Sequence, residues 1–329
     1  MWWALPGIPT EISMGRRGAM DALYAFHRKA EPRRRLPLDN LAVGADGLIY
    51  VTRSSDNGVI AVDPQSGVQS IIVRSELAAP GGMTWVMRDG GPRLLITDIF
   101  GYRFYDPATG EVELLPFDLE KRASSDADSR DGTIAITYVR RNRALLLDET
   151  SGDVLQSWTD LPAPYGVLID DTGDLVVALH ESGTLVRLSA ADSAKRDVLT
   201  DGLEGPVGLA WANAGTSVYV VEAGAGRISH VSLTTGERRT ISSGLSQPET
   251  AAVLPDGHIA VTEVGTGQVV LVHPDTGETA AIAKGLALGG PISRSPSPVA
   301  MPTGASVDAD GAVWVVTDAD NGLLRLSPR

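Results

Sequence analysis

The sequence contains no cysteine. That removes disulfides, thiolate metal sites and a cysteine nucleophile, and leaves the chain indifferent to the redox state of its surroundings. Nor does any stretch approach the ~18 consecutive apolar residues of a membrane-crossing helix. The opening Met1-Trp2-Trp3-Ala4-Leu5-Pro6 lacks the basic start and apolar run of a secretory leader, so the cytoplasm is the expected location. Positive charge is outnumbered, with 28 Lys and Arg against 41 Asp and Glu and a formal charge of -13. Such a surface repels nucleic acid and anionic membranes, so neither is an expected partner. Two arginine clusters, Arg33 to Arg35 and Arg140 to Arg143, read as solvated loop residues.

Aromatics are also sparse, at 5%, whereas glycine occupies 36 positions, a balance that suits many short strands joined by tight turns. Seven of these glycines recur in similar surroundings, at Gly47, Gly90, Gly132, Gly173, Gly215, Gly257 and Gly311. Their spacing is 41 to 43 residues, except for a final interval of 54, which marks one insertion. A repeat of that period predicts an all-β β-propeller.

Each unit carries four strand signals; in the fifth they are Val207 to Trp211, Val218 to Glu222, Ile228 to Leu233 and Arg238 to Ile241. Between the third and fourth a turn recurs, as in Asp63-Pro-Gln-Ser-Gly67 and His273-Pro-Asp-Thr-Gly277. A sandwich would not repeat its own sequence, and a solenoid would need capping repeats. The last unit has no fourth strand, and Ala22 to Lys29 is the expected replacement, closing the ring from the N-terminal side. The prediction is therefore seven four-stranded blades over residues 22–329, preceded by an extension, 1–21. A six-bladed ring stays open as an alternative, because the third unit, Ala123-Ser-Ser-Asp-Ala-Asp128, lacks the usual Pro-x-Gly.

In a propeller the first strand of each blade lines the channel, and it begins on the face where the second strand ends. Two positions per blade should then carry function. The residue after the repeat proline reads Asp39, Gly81, Ser124, Tyr165, Val207, Glu249 and Thr303 around the ring. The end of strand two reads Arg53, Asp98, Tyr138, His180, Glu222, Glu263 and Asp318. These slots vary by blade where a purely structural repeat would hold one residue type. Glu222, Glu249 and Glu263 are expected to converge, as proton donor and acceptor or as ligands of Mg²⁺ or Ca²⁺ shared with Asp318. His180 beside them suits proton transfer near neutral pH. Tyr138 and Tyr165 are expected to form an aromatic wall, with Arg53, Asp39 and Thr303 facing the ligand.

The surplus residues of the last interval, 286–299, are rich in Gly, Pro and Ser and read as a lid, with Arg294 as an anion contact. Gly224-Ala-Gly226 and Gly265-Thr-Gly267 lead into no helix and read as hairpin turns, which leaves no nucleotide loop. Asp308-Ala-Asp310-Gly311 reads as a turn, since a Val-rich strand stands where the later ligands of a calcium loop belong. The absence of Gly-x-Ser-x-Gly and of a second histidine after His180-Glu181 sets aside serine hydrolases and zinc helices. No nucleotide, flavin or haem is expected.

With Pro-x-Gly opening the units and strand two closing as Val-Val-Glu222, Val-Thr-Glu263 or Val-Thr-Asp318, the chain resembles the virginiamycin B lyase family of seven-bladed propellers. It is similar, more distantly, to gluconolactonase and strictosidine synthase-like propellers. The first resemblance implies lactone opening by elimination, with histidines after the repeat proline in the last two blades, glutamates and Mg²⁺. At those two positions this chain has Glu249 and Thr303, and Met301 replaces the glutamate before the last proline. The second implies Ca²⁺ held by Glu, Asp and two Asn, a set to which Glu249 and Asn40 correspond. The expected activity is proton-transfer chemistry of lyase, cyclase or lactone-opening type on a small molecule, by a monomer, with Glu249, Glu263, His180 and Glu222 as the reacting side chains. The alternatives are a non-catalytic ligand- or protein-binding scaffold and a Ca²⁺-dependent lactone hydrolase.

Overall fold

The computed structural model describes residues 20–25, 38–53, 57–74, 77, 80–88, 90–98, 101–113, 125–213, 215–289, 304–317 and 322–328. Among them, 28 strands build seven separate four-stranded antiparallel sheets. Blade one is β2 to β5 (Leu38–Val43, Ile49–Arg53, Gly58–Val62, Gln69–Val73) and blade two β6 to β9 (Met83–Arg88, Gly91–Asp98, Gly101–Tyr105, Val112–Glu113). Blade three is β10 to β13 (Asp126–Arg130, Thr133–Tyr138, Arg143–Asp148, Val154–Trp158). Blade four is β14 to β17 (Pro164–Ile169, Leu175–Leu179, Thr184–Leu188, Arg196–Thr200). Blade five is β18 to β21 (Pro206–Asn213, Ser217–Glu222, Arg227–Ser232, Arg238–Ser243) and blade six β22 to β25 (Pro248–Val253, Ile259–Glu263, Gln268–Val272, Thr279–Lys284). In blade seven, β26 to β28 (Ala305–Val307, Val313–Thr317, Gly322–Pro328) are completed by β1, Met20–Ala25. The third unit thus folds as a full blade, and the six-bladed alternative falls.

The closing strand pairs Met20 with Pro328 and Ala25 with Leu324. It begins two residues earlier than Ala22, and the expected stretch beyond Ala25 lies outside the described residues, as do Arg33 to Arg35. Strands two and three read as nearly unbroken apolar runs because blades stack face to face and bury both sides of them. Ala135, Leu146 and Trp158 of blade three pack on Val167, Val177 and Val186 of blade four, and comparable seams recur around the ring. Fourth strands lie outermost, and those of blades one, three, four, five and six expose their first two or three residues, Val198 among them.

The repeat glycines close the hairpin between strands one and two, all seven with φ between +73° and +87°, where a side chain would be strained. In the turn between strands three and four, Asp63 Oδ1 accepts the Gln65 N–H at 2.8 Å and Asp106 Oδ1 that of Ala108 at 2.8 Å. In blade six His273 Nδ1 does the same for Asp275, at 3.2 Å. Asp308 likewise folds its turn, accepting from Asp310 and Ala312 N–H and from the Trp314 indole. No helix among the described residues is long and apolar enough to cross a membrane.

Candidate active site at the channel mouth

Blades one to six open with two residues facing one on the second strand. In blade six Pro248 pairs with Glu263 and Ala251 with Val261, so two residues, Glu249 and Thr250, face Thr262. Blade four repeats this with Tyr165 and Gly166 facing Ala178. In blade two Gly81 donates to the Thr97 carbonyl while Gly82 accepts from the Thr97 N–H, both at 2.9 Å. Blade three matches: Ser125 donates to the Thr137 carbonyl at 2.8 Å and Asp126 pairs with Thr137. The post-proline slot of blade three is therefore Ser125. Ser124 falls at the proline position and outside the described residues.

The second residue of each pair explains the glycine of Pro-x-Gly. A Cβ on Gly166 would stand 2.8 Å from the Val207 carbonyl oxygen, and one on Gly208 2.8 Å from that of Glu249. Inner strands of neighbouring blades touch there, and glycine permits the approach. Blade three carries Asp126 at this place. Its carboxylate runs along the seam instead, accepting the Val167 N–H of blade four at 3.2 Å and its neighbour Ala127 N–H at 3.0 Å. Asp128, two residues on, accepts Ile169 N–H at 2.8 Å. Enclosure by protein pushes the Asp126 carboxyl up to about 7, with nearby Asp128 adding to the rise and both N–H donors opposing it. Asp126 nonetheless keeps a partial opening to solvent.

The ladder also moves two strand-end slots by one residue. Leu179 pairs with Thr184, and Thr317 with Gly322, so these end their strands. His180 follows as the first residue of a turn; Asp318 falls outside the described residues. His180 donates its backbone N–H to the Ala163 carbonyl at 3.0 Å. Its ring packs against Tyr165 with centroids 5.3 Å apart at 59°. On the other side Gly205 approaches so closely that a Cβ there would lie 3.0 Å from His180 Cε1. His180 Nδ1 is buried with no hydrogen-bond partner.

Glu222 and Glu263 turn out to be braces. Glu222, fully buried, accepts Arg227 Nε at 2.8 Å and Nη2 at 2.6 Å, Ser229 Oγ at 2.5 Å and the Glu204 N–H at 2.8 Å. Burial raises its pKa, but the donors from Arg227, Ser229 and Glu204 together hold it below the ordinary glutamate range. Glu263 occupies the same place in blade six, accepting Ser246 N–H at 2.6 Å and the Gln268 side-chain amide. Oxygens so committed are poor cation ligands, and among the described residues no three His, Asp or Glu side chains converge as a metal site. The described residues do not fit the expected Mg²⁺ or Ca²⁺ set.

Tyr138 leaves the expected wall. It is fully buried in the seam with Tyr102, Phe104 and Leu145, because the last residue of β11 turns into the blade stack. Tyr165 is also buried, in the core cluster with Val207 and Tyr219 and with its ring against His180, and Glu249 is buried one blade beyond Val207. Arg53 is half-buried at the end of β3. Asp39 belongs to β2, with its side chain outside the description; Thr303, Arg294 and 290–299 of the lid also lie outside it.

Residues 79–287, more than half of the chain, match the family model described as SMP-30/Gluconolactonase/LRE-like region. The chain belongs to this family. No curated protein sequence matches it. Among solved structures, the propeller is similar to a streptogramin B lyase, with TM-score 0.74 and 15% identity over 94% of this chain and 98% of that one. It is similar to virginiamycin B lyase from Staphylococcus aureus, with TM-score 0.72 and 13% identity over 93% and 99%. The WD40 propeller of Doa1 is as similar, with TM-score 0.73 and 13% identity over 95% and 97%. At such identities the likeness is one of fold. Within this SMP-30/gluconolactonase-like propeller, Glu249 and Tyr165 are buried in the post-proline slots of blades six and four, His180 follows the second strand of blade four, and Asp126 lies in the seam between blades three and four.

Proposed function

We propose that the chain is an enzyme that opens a small lactone or a related ester-like ring at the channel mouth, by proton transfer, in the manner of a lyase or lactonase. The observation that carries this reading is His180: an imidazole wedged between Tyr165 and Gly205 with a buried, unpartnered Nδ1. A structural histidine normally satisfies both ring nitrogens, and leaving one bare costs about 1–3 kcal/mol. A ligand that parts these contacts and hydrogen-bonds there recovers that energy. Tyr165 holds the imidazole from one side, and Glu249 supplies a carboxyl in the post-proline slot two blades further round. Family membership supports the same chemistry.

Incubation with a panel of γ- and δ-lactones, read by mass spectrometry, tests the proposal. Ring opening that is lost in His180→Gln and Glu249→Gln is the expected result. Ring opening by neither the parent nor the variants, with a cationic ligand binding at the mouth instead, favours a scaffold whose acidic rim captures its partner.

A further inference from the structure

Strand two of each blade ends on the mouth face, and strand three starts there. Of the seven segments between them, 54–57, 99–100, 139–142, 180–183, 223–226, 264–267 and 318–321, only that of blade three contains lysine or arginine, as Arg140-Arg141. Three of the others carry acids, Glu181 next to His180 among them. We propose that Arg141, beside Arg140, holds an oxyanion at the mouth, so that the ring opened there carries a carboxylate; this rests on the lactone-opening reading above.

Hydrogen bonds and packing fix this turn beside that of His180. Residues 139–142 are the counterparts of 180–183 in the next blade, since Tyr138 pairs with Arg143 as Leu179 does with Thr184. Asn142 takes a left-handed φ of +53°, as Gly183 does at +65°, and its carbonyl accepts the Leu161 N–H at 2.9 Å as that of Gly183 accepts Leu203. At the front of the turn Val139 donates its N–H to Ser125 Oγ at 3.0 Å, where the inner strand of blade three begins, and packs on the cluster that contains Tyr165. At its back Asn142 Oδ1 accepts the Ala163 N–H at 3.1 Å, and the Ala163 carbonyl in turn holds the His180 N–H at 3.0 Å. The two arginines thus ride on a turn locked to the strand start at Ser125 and to the backbone that holds His180.

Contacts separate Arg141 from the chain's other arginines. Arg143, at the start of β12, donates its Nε to Ser157 Oγ at 3.1 Å and so turns toward the fourth strand. Arg93, Arg187, Arg227 and Arg325 each lie against an acid, at 3.0, 2.8, 2.6 and 3.3 Å. Arg141 is exposed and, among the described residues, makes neither a hydrogen bond nor an ion pair. A guanidinium presents its N–H donors as a planar fork that matches the two oxygens of a carboxylate. An acidic substituent held there sets the rest of a small substrate toward blade four, while the like charge of Glu181 on the blade-four turn disfavours the reversed orientation.

Two measurements decide it. The first compares opening of paraconate, a γ-lactone bearing a carboxylate, with that of its neutral carboxamide, by the full chain, by Arg141→Gln and, as a control for net charge, by Arg196→Gln on the outermost strand of blade four. The expected result is a parent kcat/KM about 3–10-fold higher for the carboxylate, carried by KM, with the preference lost in Arg141→Gln and kept in Arg196→Gln. Equal kcat/KM for the two lactones in the parent, or a preference that survives in Arg141→Gln, overturns the anion subsite while sparing the lactone reading. The second follows the Arg141 Nε–H signal of ¹⁵N-labelled protein, assigned by Arg141→Gln, as succinate or succinamide is added. A saturating shift with succinate alone supports the subsite; no shift, or equal shifts with both, overturns it even if no lactone is opened. Failure of the parent on every lactone overturns the reading on which the carboxylate-bearing ring rests.

Discussion

Arg227 grips Glu222 with two atoms, Nε 2.8 Å from Oε1 and Nη2 2.6 Å from Oε2, and the same carboxylate holds the Glu204 N–H in the loop that enters blade five. The pair therefore ties a hairpin to the neighbouring blade connection. Glu222→Ala is expected to lower stability by about 3 kcal/mol, since it leaves Arg227 without its buried partner. Urea unfolding of the two proteins measures it. Because the folded-state pKa of Glu222 lies below the ordinary value, its contribution is present above about pH 4.5 and is lost as pH falls through the depressed value. Glu222→Gln should flatten the acid side of the stability profile.

Close approach of inner strands makes a second prediction. Gly208→Ala places a methyl group 2.8 Å from the Glu249 carbonyl and 3.1 Å from Val221 Cγ2, and should cost about 2–3 kcal/mol. Gly244→Ala meets nothing within 4 Å but sits at φ +78°, so its cost should be only about 1 kcal/mol. Equal urea midpoints for the two variants would contradict the seam.

For His180, stacking and chemistry separate. His180→Phe keeps a ring against Tyr165 and should melt within a few degrees of the parent, yet lose about 10²–10⁴-fold in turnover of a lactone the parent opens. Steady-state kinetics and a thermal melt, run side by side, check both halves.

Removing residues 1–25 takes away β1 and leaves the β28 edge unpaired. The expected outcome is a lower Tm together with self-association, because an open strand edge recruits other strands. Calorimetry and analytical ultracentrifugation report the two effects.

Architecture was legible because the turn glycines must adopt positive φ, a demand that recurs once per blade and leaves a regular trace. The mouth was legible only in part. Tyr165 and Glu249 follow a proline that marks the register, whereas blade three has no such mark, and counting there landed on Ser124, one residue before the structural slot at Ser125. His180 shows another limit: a histidine one residue past the strand end looks like a strand-end residue until the Leu179 to Thr184 pair is seen. Glu222 and Glu263 illustrate a third, since acids at a strand end read alike in sequence whether they face a ligand or, as here, hold N–H donors. Their i+5 partners, Arg227 and Gln268, were the available clue.

The pairing of Met20 with Pro328 also governs how the molecule is made. The segment that seals the ring emerges ahead of all seven blades' other strands and has no partner until the last strand follows, on the order of 15–60 s later at ~5–20 residues per second. Until then six blades can assemble in order behind it while the seventh stays incomplete. The nascent chain must therefore keep that first segment from pairing elsewhere, and the time it spends waiting, more than the stability of any blade, sets the window in which chaperones matter.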